Sequence, residues 1–297
     1  MTGLWLGLLA LVLAGPVPAV LARARWTWQV PRAALVLWQA LAVAAFLAAL
    51  GAGTWATTEL LLNPHGLPAA VAVGVVTGLL GGRLAAAGLS VAVRTRRRRQ
   101  RHRDLVDLLQ CGSVTSGGSA VRVVEGQACY AYCLPGREAA VVLSEATLAS
   151  LSPVELAAVV AHERAHLRAR HDLLVEFFTA LHQAFPRLVR SGAALQTVRL
   201  LVEMLADDAA RRKAGERPLA NALLALSATP VPAPTASGTV LTAGAAARVR
   251  RLAGGGRPGH RGLSALTYGG AAALLTVPTA ALVLPWMWAV AEAYALR

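Results

Sequence analysis

The chain contains the pentapeptide His162-Glu163-Arg164-Ala165-His166, whose residue types and spacing suit metal-assisted hydrolysis. On an α-helix, residues four apart share a face, so the imidazoles of His162 and His166 can bind one metal ion. Glu163 lies at the edge of that face, where its carboxylate can take a proton from a metal-bound water. The spacing is that of the HExxH zinc hydrolase motif, and it predicts one Zn²⁺ per chain with Glu163 as the catalytic base.

The residues before the pentapeptide predict the helix that it needs. Residues 152–155 read Ser-Pro-Val-Glu, the pattern of a capping box with proline at the first helical position. Apolar residues then recur at helical spacing as far as Leu167. We therefore predict a helix from about Pro153 to about Asp172, with both histidines in its second half.

A third metal ligand is expected from a second helix, predicted over residues 200–210. Glu203 and Asp207 share one face of this otherwise apolar helix, and a buried carboxylate without a partner is costly. Zinc binding by Glu203, with Asp207 accepting a hydrogen bond from a ligand histidine, satisfies both carboxylates. The alternative is a salt bridge from this acidic pair to Arg211 or Arg170.

Other histidines are weaker candidates. His171 follows His166 by five residues, which is the wrong spacing to share its helical face, so we predict that it does not contact the metal. His171 and Glu176 would be the next candidates only if Glu203 were not a ligand. His182 lies on an amphipathic helix and is interpreted as an interior or surface histidine.

The sequence has three cysteines and no CxxC pair, which favours reduced thiols. We interpret Cys129 and Cys133 as small buried apolar residues rather than metal ligands.

Composition indicates a membrane protein. Hydrophobic residues make up 56% of the chain, only 15% are charged, and the mean hydropathy is +0.53. A signal peptide could explain one apolar segment but not four. One of the four contains Arg83, which we expect to snorkel, face water or meet a partner. The predicted spans are residues 3–22, 33–56, 68–93 and 264–290.

Arginines indicate how these spans are oriented. They occur between the first two spans, in a dense run at 94–103 and before the fourth span, whereas residues 57–67 contain no lysine or arginine. The positive-inside rule then predicts a multi-pass plasma-membrane protein with a cytoplasmic catalytic domain and both termini outside. The predicted order is three transmembrane helices (1–93), a basic juxtamembrane segment (94–103), a cytoplasmic metallopeptidase domain (104–261), a fourth span (264–290) and a short extracytoplasmic tail (291–297).

The formal net charge of +14 follows from the same arginines. Since they cluster beside predicted spans, we interpret them as topogenic residues that also meet anionic lipid headgroups. The sequence contains no recognised nucleic-acid-binding motif, so we expect no direct binding to nucleic acid.

A change to strand-like alternation precedes the metal helix. Residues 119–124, 127–133 and 138–143 predict a small antiparallel sheet, so the cytoplasmic domain is α+β within a mainly α protein. An exposed edge of that sheet could pair with an extended substrate chain.

Two motifs carry a resemblance to a known group of enzymes. Residues 151–167 contain the HExxH motif near their end. The sequence EMLAD at 203–207 resembles the ExxxD element of the same group of enzymes. With the strands and the four spans, the chain resembles the integral-membrane zinc metallopeptidases of families M56 and M48. These include BlaR/MecR-type antirepressor peptidases, HtpX-type quality-control enzymes and CAAX prenyl proteases. Residues 170–174 are closer to the M56 pattern.

The resemblance implies a gluzincin, in which two histidines and a glutamate bind zinc. His162, His166 and Glu203 would be the metal ligands, and Asp207 would orient a ligand histidine. Glu163 would take a proton from zinc-bound water and pass it to the leaving amine.

One departure from the family concerns sensing. BlaR-type receptors carry an extracellular penicillin-sensing domain after the last span, where this sequence has only residues 291–297, so we expect no direct β-lactam sensing. No residue is identified as the oxyanion stabiliser, and an arginine among residues 248–251 remains an open guess.

The leading hypothesis is a membrane zinc endopeptidase acting on a cytoplasmic or membrane-proximal protein. Its substrate would be a transcriptional repressor or anti-sigma-like protein in regulated proteolysis, or a damaged membrane protein in quality control. The alternative is a non-catalytic signalling or scaffold protein with a metallopeptidase fold, which the intact Glu163 disfavours. A transporter is disfavoured by the large cytoplasmic insert and the few charges within the spans. The expected partners are a protein substrate and the lipid bilayer.

Overall fold

The chain folds into long helices and one small sheet. A computed structural model describes residues 2–116, 119–136, 139–186, 191–227, 244–253 and 261–295. The residues divide into two compact units. The first comprises residues 1–89, 179–195 and 260–297, and the second comprises 90–178 and 196–259. The predicted mainly helical fold with a small sheet is confirmed in this general form.

The first unit contains the apolar helices. Its elements are α1 (Thr2–Ala14), α2 (Pro16–Arg23), a 3₁₀ helix (Arg25–Gln29), α3 (Pro31–Leu61), the start of α4 (Leu67–Leu109) and α11 (Arg261–Ala295). In the described part of the chain, four stretches are long and apolar enough to cross a membrane: 3–23, 31–61, 67–109 and 261–281. The first stretch is interrupted at Gly15, because Pro16 has no N–H to continue α1 and instead begins α2.

Within this unit, α3 contacts both α1 and α11. Small side chains such as Ala34, Ala44 and Ala48 are fully buried on α3, which allows close helix approach. Arg83 on α4 donates a hydrogen bond from Nε to the carbonyl of Ala184, so this arginine meets a partner. Large apolar side chains such as Trp5 stay exposed, as expected for a surface that faces lipid.

The second unit is built around a four-stranded mixed sheet. Its strands are β1 (Gln110–Ser116), β2 (Ser119–Val124), β3 (Ala131–Leu134) and β4 (Ala140–Ser144), in the order β1-β2-β4-β3. β1 with β2 and β3 with β4 are antiparallel, but β2 and β4 are parallel. The expected all-antiparallel sheet is therefore wrong, because β4 lies between β2 and β3 and runs in the direction of β2.

β1 is an edge strand that the sequence did not predict. Its residues, Gln-Cys-Gly-Ser-Val-Thr-Ser, include a glycine and several small polar side chains, so they lack the apolar alternation of a half-buried strand. Residues 110–114 are exposed, which is consistent with pairing on one side only.

Helices of the second unit cover the sheet and supply the polar residues described below. They are α5 (Glu145–Ser150), α6 (Pro153–Ala169), α7 (His171–Ala184), α8 (Ser191–Ala214), α9 (Glu216–Ser227) and α10 (Ala245–Ala253), and α7 and α8 each have residues in both units. Val159 and Val160 of α6 pack with Val121, Leu143 and Leu226 in one buried cluster. Each such side chain contributes about 1.5–3 kcal/mol when fully buried, so the apolar face fixes the rotation of α6.

Both ends of α6 are defined by local interactions. The predicted capping box is confirmed: Ser152 accepts a hydrogen bond from the Glu155 amide, and the Glu155 carboxylate accepts one from the Ser152 amide at 2.9 Å. The predicted extension to Asp172 is wrong, since the helix ends at Ala169. Arg170 adopts a left-handed conformation with φ of 50°, and α7 starts at the next residue.

Candidate metal centre

α6 presents the residues of the pentapeptide to the interior of the second unit. His162 and Glu163 are 3% and 5% exposed, and the side chain of His166 is 14% exposed. The two imidazoles face each other, with their Nε2 atoms 3.1 Å apart. This is the arrangement expected from residues four apart on one helix face.

α8 brings a carboxylate to the same point. Glu203 is buried, and its Oε2 lies 3.3 Å from Nε2 of His162, while its Oε1 lies 3.5 Å from Nε2 of His166. Within the described part of the chain, His162, His166 and Glu203 form a group whose donor atoms could hold one metal ion. The structure thus brings together the three residues that the sequence singled out as ligands.

The donor set fits zinc. Two imidazole nitrogens and a carboxylate oxygen are ordinary zinc ligands, and bonds of about 2.0–2.1 Å at a tetrahedral angle hold ligand atoms about 3.4 Å apart. The separations above, 3.1 to 3.5 Å, lie close to that value. Oε2 of Glu203 is buried and has no well-directed hydrogen bond among the described residues, although cationic groups lie within ion-pair distance of it.

Asp207 lies one turn after Glu203 and contacts the other nitrogen of His162. Its Oδ1 is 3.0 Å from Nδ1 of that histidine. A carboxylate in this position favours the tautomer with hydrogen on Nδ1, which leaves the Nε2 lone pair for a metal. Asp207 therefore has the contact with His162 that an orienting role requires.

A buried arginine forms ion pairs with both Asp207 and Glu203. Arg248 of α10 is 0% exposed and donates to both Asp207 oxygens, from Nε at 2.7 Å and from Nη2 at 2.6 Å. Its Nη1 lies 3.1 Å from Glu203. Despite the cost of burial, His166, Arg248 and His162 lower the pKa of Glu203, and Arg248 and His162 lower the pKa of Asp207, both well below the usual range.

The two arginines named as alternative partners are placed differently from Arg248. Arg211 bonds to Glu216 at 3.0 Å, and Arg170 is exposed at the end of α6. Among the candidates for oxyanion stabilisation, Arg248 has all three nitrogens engaged with carboxylates. Arg251 forms a bidentate pair with Asp208 at 2.8 and 2.9 Å.

Glu163 lies in a buried environment that suits proton transfer. Burial raises its pKa to about 7, so the carboxyl can gain and lose a proton near neutral pH. Cys133 of β3 lies near Glu163, and burial together with that carboxylate raises the pKa of the thiol. The sequence interpretation of Cys133 as a small apolar residue missed this proximity, because only the sheet brings residue 133 beside α6.

The other two histidines considered from the sequence, His171 and His182, have different partners. Nδ1 of His171 lies 3.2 Å from Nδ1 of His166, although His171 is not in the group that could hold the metal. Its spacing along a continuous helix did not predict this contact, because the helix ends before it. His182 instead pairs with Ser191, with Nδ1 3.0 Å from the hydroxyl oxygen.

The two metal-facing histidines differ in protonation. Burial disfavours the charged form of His162, but hydrogen bonds to Asp207 and Glu203 outweigh it and raise its pKa to about 10. Burial lowers the pKa of His166 to about 3. In the metal-free protein, the acidic groups around His162 therefore favour its protonated form, whereas burial favours the neutral form of His166.

Sequence comparison agrees with the geometry. A buried HExxH helix and a second helix with ExxxD are typical of metallopeptidases. Residues 94–216 match the model of Peptidase family M48, which supports an M48-type peptidase and the M48 side of the resemblance. The match ends before Arg248. No curated protein and no solved structure matches the chain.

Proposed function

We propose that the second unit is a zinc-dependent endopeptidase anchored in the membrane by the apolar helices. The observation that carries the proposal is the group of His162, His166 and Glu203, with the buried Glu163 directly following His162 on the same helix. This combination provides three ligands and a base, the set required for metal-assisted hydrolysis of a peptide bond.

Each residue of the site would have a distinct role in hydrolysis. His162, His166 and Glu203 would hold Zn²⁺, which supplies Lewis-acid activation of water and of the peptide carbonyl. Glu163 accepts the proton of the attacking water and then protonates the leaving amine, which its pKa near 7 allows. Asp207 keeps the ring of His162 in the tautomer needed for binding.

Substrate binding is proposed at the edge of the sheet. β3 is a terminal strand of the sheet, and it carries Cys133, whose thiol lies near Glu163. An extended peptide added beside β3 would place a backbone carbonyl near that base. We propose a cytoplasmic or membrane-proximal protein as substrate, either a transcriptional repressor or a damaged membrane protein.

The test combines metal content and activity in detergent-purified protein. Wild type is expected to contain one zinc per chain, His162→Ala and Glu203→Ala to lose it, and Glu163→Gln to keep it while losing peptidase activity. The matched control is Glu176→Gln, a carboxylate on α7 that pairs with Arg99. Absence of zinc from folded, zinc-supplied wild type would contradict the proposal. Full function of Glu163→Gln in cells would favour the non-catalytic scaffold.

A further inference from the structure

His171 reaches the metal centre because the chain changes direction just before it. The left-handed Arg170 ends α6, and α7 begins with His171, which is 7% exposed. On a continuous helix, a residue five positions after His166 would point elsewhere. The break places the two rings 5.0 Å apart and nearly perpendicular, at 85°.

The contact constrains where protons sit on both rings. Nε2 of His166 faces Nε2 of His162 and the carboxylate of Glu203, so this nitrogen must present a lone pair to a metal ion. A neutral imidazole then carries its hydrogen on Nδ1. That N–H points at Nδ1 of His171, 3.2 Å away, which must accept it and carry its own hydrogen on Nε2.

We propose that His171 is a positioning residue that fixes the tautomer and ring orientation of His166 for zinc binding. The inference rests on the proposed metal-dependent function. It gives each ligand histidine its own orienting acceptor: Asp207 for His162 and a neutral imidazole for His166. Because such acceptors raise ligand basicity and restrict ring rotation, losing one typically weakens metal affinity by about 10- to 100-fold.

Three substitutions at one position test which ring nitrogen matters. In His171→Asn, the amide oxygen can occupy the position of Nδ1, whereas in His171→Gln it can occupy only that of Nε2. His171→Ala has no acceptor. We expect zinc affinity, measured by competition with a chelator in the full-length detergent-solubilised protein, to fall about 10- to 100-fold in the Ala and Gln variants. The Asn variant should stay within a few-fold of wild type.

The control for general packing effects is His182→Ala. His182 lies on the same helix and also uses Nδ1, but its partner is Ser191. Its zinc affinity should equal that of wild type. The melting temperature of each metal-free variant reports its packing independently of zinc. A packing role alone would lower that temperature in the Asn and Gln variants alike, without separating their zinc affinities.

The outcomes separate this inference from the function on which it rests. Unchanged affinity in all three His171 variants, or equal losses in Asn and Ala, would overturn the role of His171 while zinc binding by wild type still supports the metallopeptidase. Failure of folded wild type to bind zinc would overturn both. Rescue by Asn but not by Gln supports the inference.

Discussion

At the residue scale, the candidate metal centre contains a fully buried arginine that pairs with two buried carboxylates. Arg248 donates to Asp207 and also lies 3.1 Å from Glu203, with 0% of its side chain exposed. A charge pair in such a place adds little net stability compared with apolar packing, but removing one member leaves an uncompensated charge. Arg248 is therefore expected to be far more sensitive to substitution than its neighbours.

Arg248→Met should lower the stability of the metal-free protein by about 3–5 kcal/mol. Added zinc should recover part of this loss, because a divalent cation compensates Glu203. The matched control is Arg251→Met on the same helix, since its pair with Asp208 is partly exposed (15% and 14%) and should contribute about 0–1 kcal/mol. Thermal unfolding with and without zinc measures both effects, and equal losses in the two variants would contradict the assignment.

Proton displacement from His162 should make zinc binding depend on pH. The pKa of His162 in the metal-free protein is raised to about 10, so this ligand is protonated throughout the neutral range and must lose its proton to bind metal. Apparent affinity should therefore increase with rising pH, by about tenfold per unit between pH 6 and 8. His166 adds no dependence there, because its pKa of about 3 keeps it neutral.

The measurement is a series of zinc titrations in Glu163→Gln, which removes a neighbouring carboxyl whose pKa is about 7. An affinity that does not change with pH would show that His162 binds metal without releasing a proton.

At the element scale, the position where α6 ends determines whether His171 can contact His166. A left-handed residue costs an ordinary side chain roughly 1 kcal/mol or more, whereas glycine adopts it freely. Arg170 is exposed, and its φ of 50° is what separates α6 from α7. The conformation of this one residue sets the contact between His166 and His171.

Substitutions at Arg170 should therefore act in opposite directions. Arg170→Gly is expected to raise the melting temperature by a few degrees, corresponding to about 1 kcal/mol, and to leave zinc affinity unchanged. Arg170→Val should lower the melting temperature, because a β-branched residue is strained at positive φ, and should weaken zinc binding through His171. Thermal unfolding and chelator competition report the two effects. Stabilisation by both substitutions would contradict this account of the turn.

Sequence patterns predicted the elements that depend on nearby residues. The capping box at Ser152 and the i, i+4 pairs on α6 and α8 involve residues within one helical turn, so their spacing alone indicates the geometry. The role of Arg248 was not predictable in this way, because it meets Asp207 across 41 residues of chain. The parallel pairing of β2 with β4 is likewise a property of the sheet and not of either strand.

At the scale of the whole molecule, the positions of the arginines relative to the apolar helices indicate the membrane orientation. Residues 94–103 continue α4 without interruption from its apolar part, so arginines follow directly where a span would leave the bilayer. The segment between α3 and α4, residues 62–66, carries no arginine or lysine. We therefore propose that residues 62–66 are extracytoplasmic and that the second unit is cytoplasmic.

Cysteine labelling in intact cells tests this orientation. All three native cysteines, at positions 111, 129 and 133, lie in the second unit, and Cys111 is exposed. A membrane-impermeant maleimide should leave wild type unlabelled until the cells are permeabilised. It should label Asn63→Cys immediately, since this residue lies between α3 and α4. Labelling of wild type in intact cells would reverse the proposed topology.

The charges around the metal centre also bear on how the enzyme matures. Asp207 and Glu203 are anionic, while Arg248 and the protonated His162 are cationic, so these four groups balance without any ion. Folding of the unit then need not wait for metal, as it must in small domains that are held together by zinc. We therefore expect zinc to bind as a late step of biogenesis, replacing a proton in a site that is already assembled.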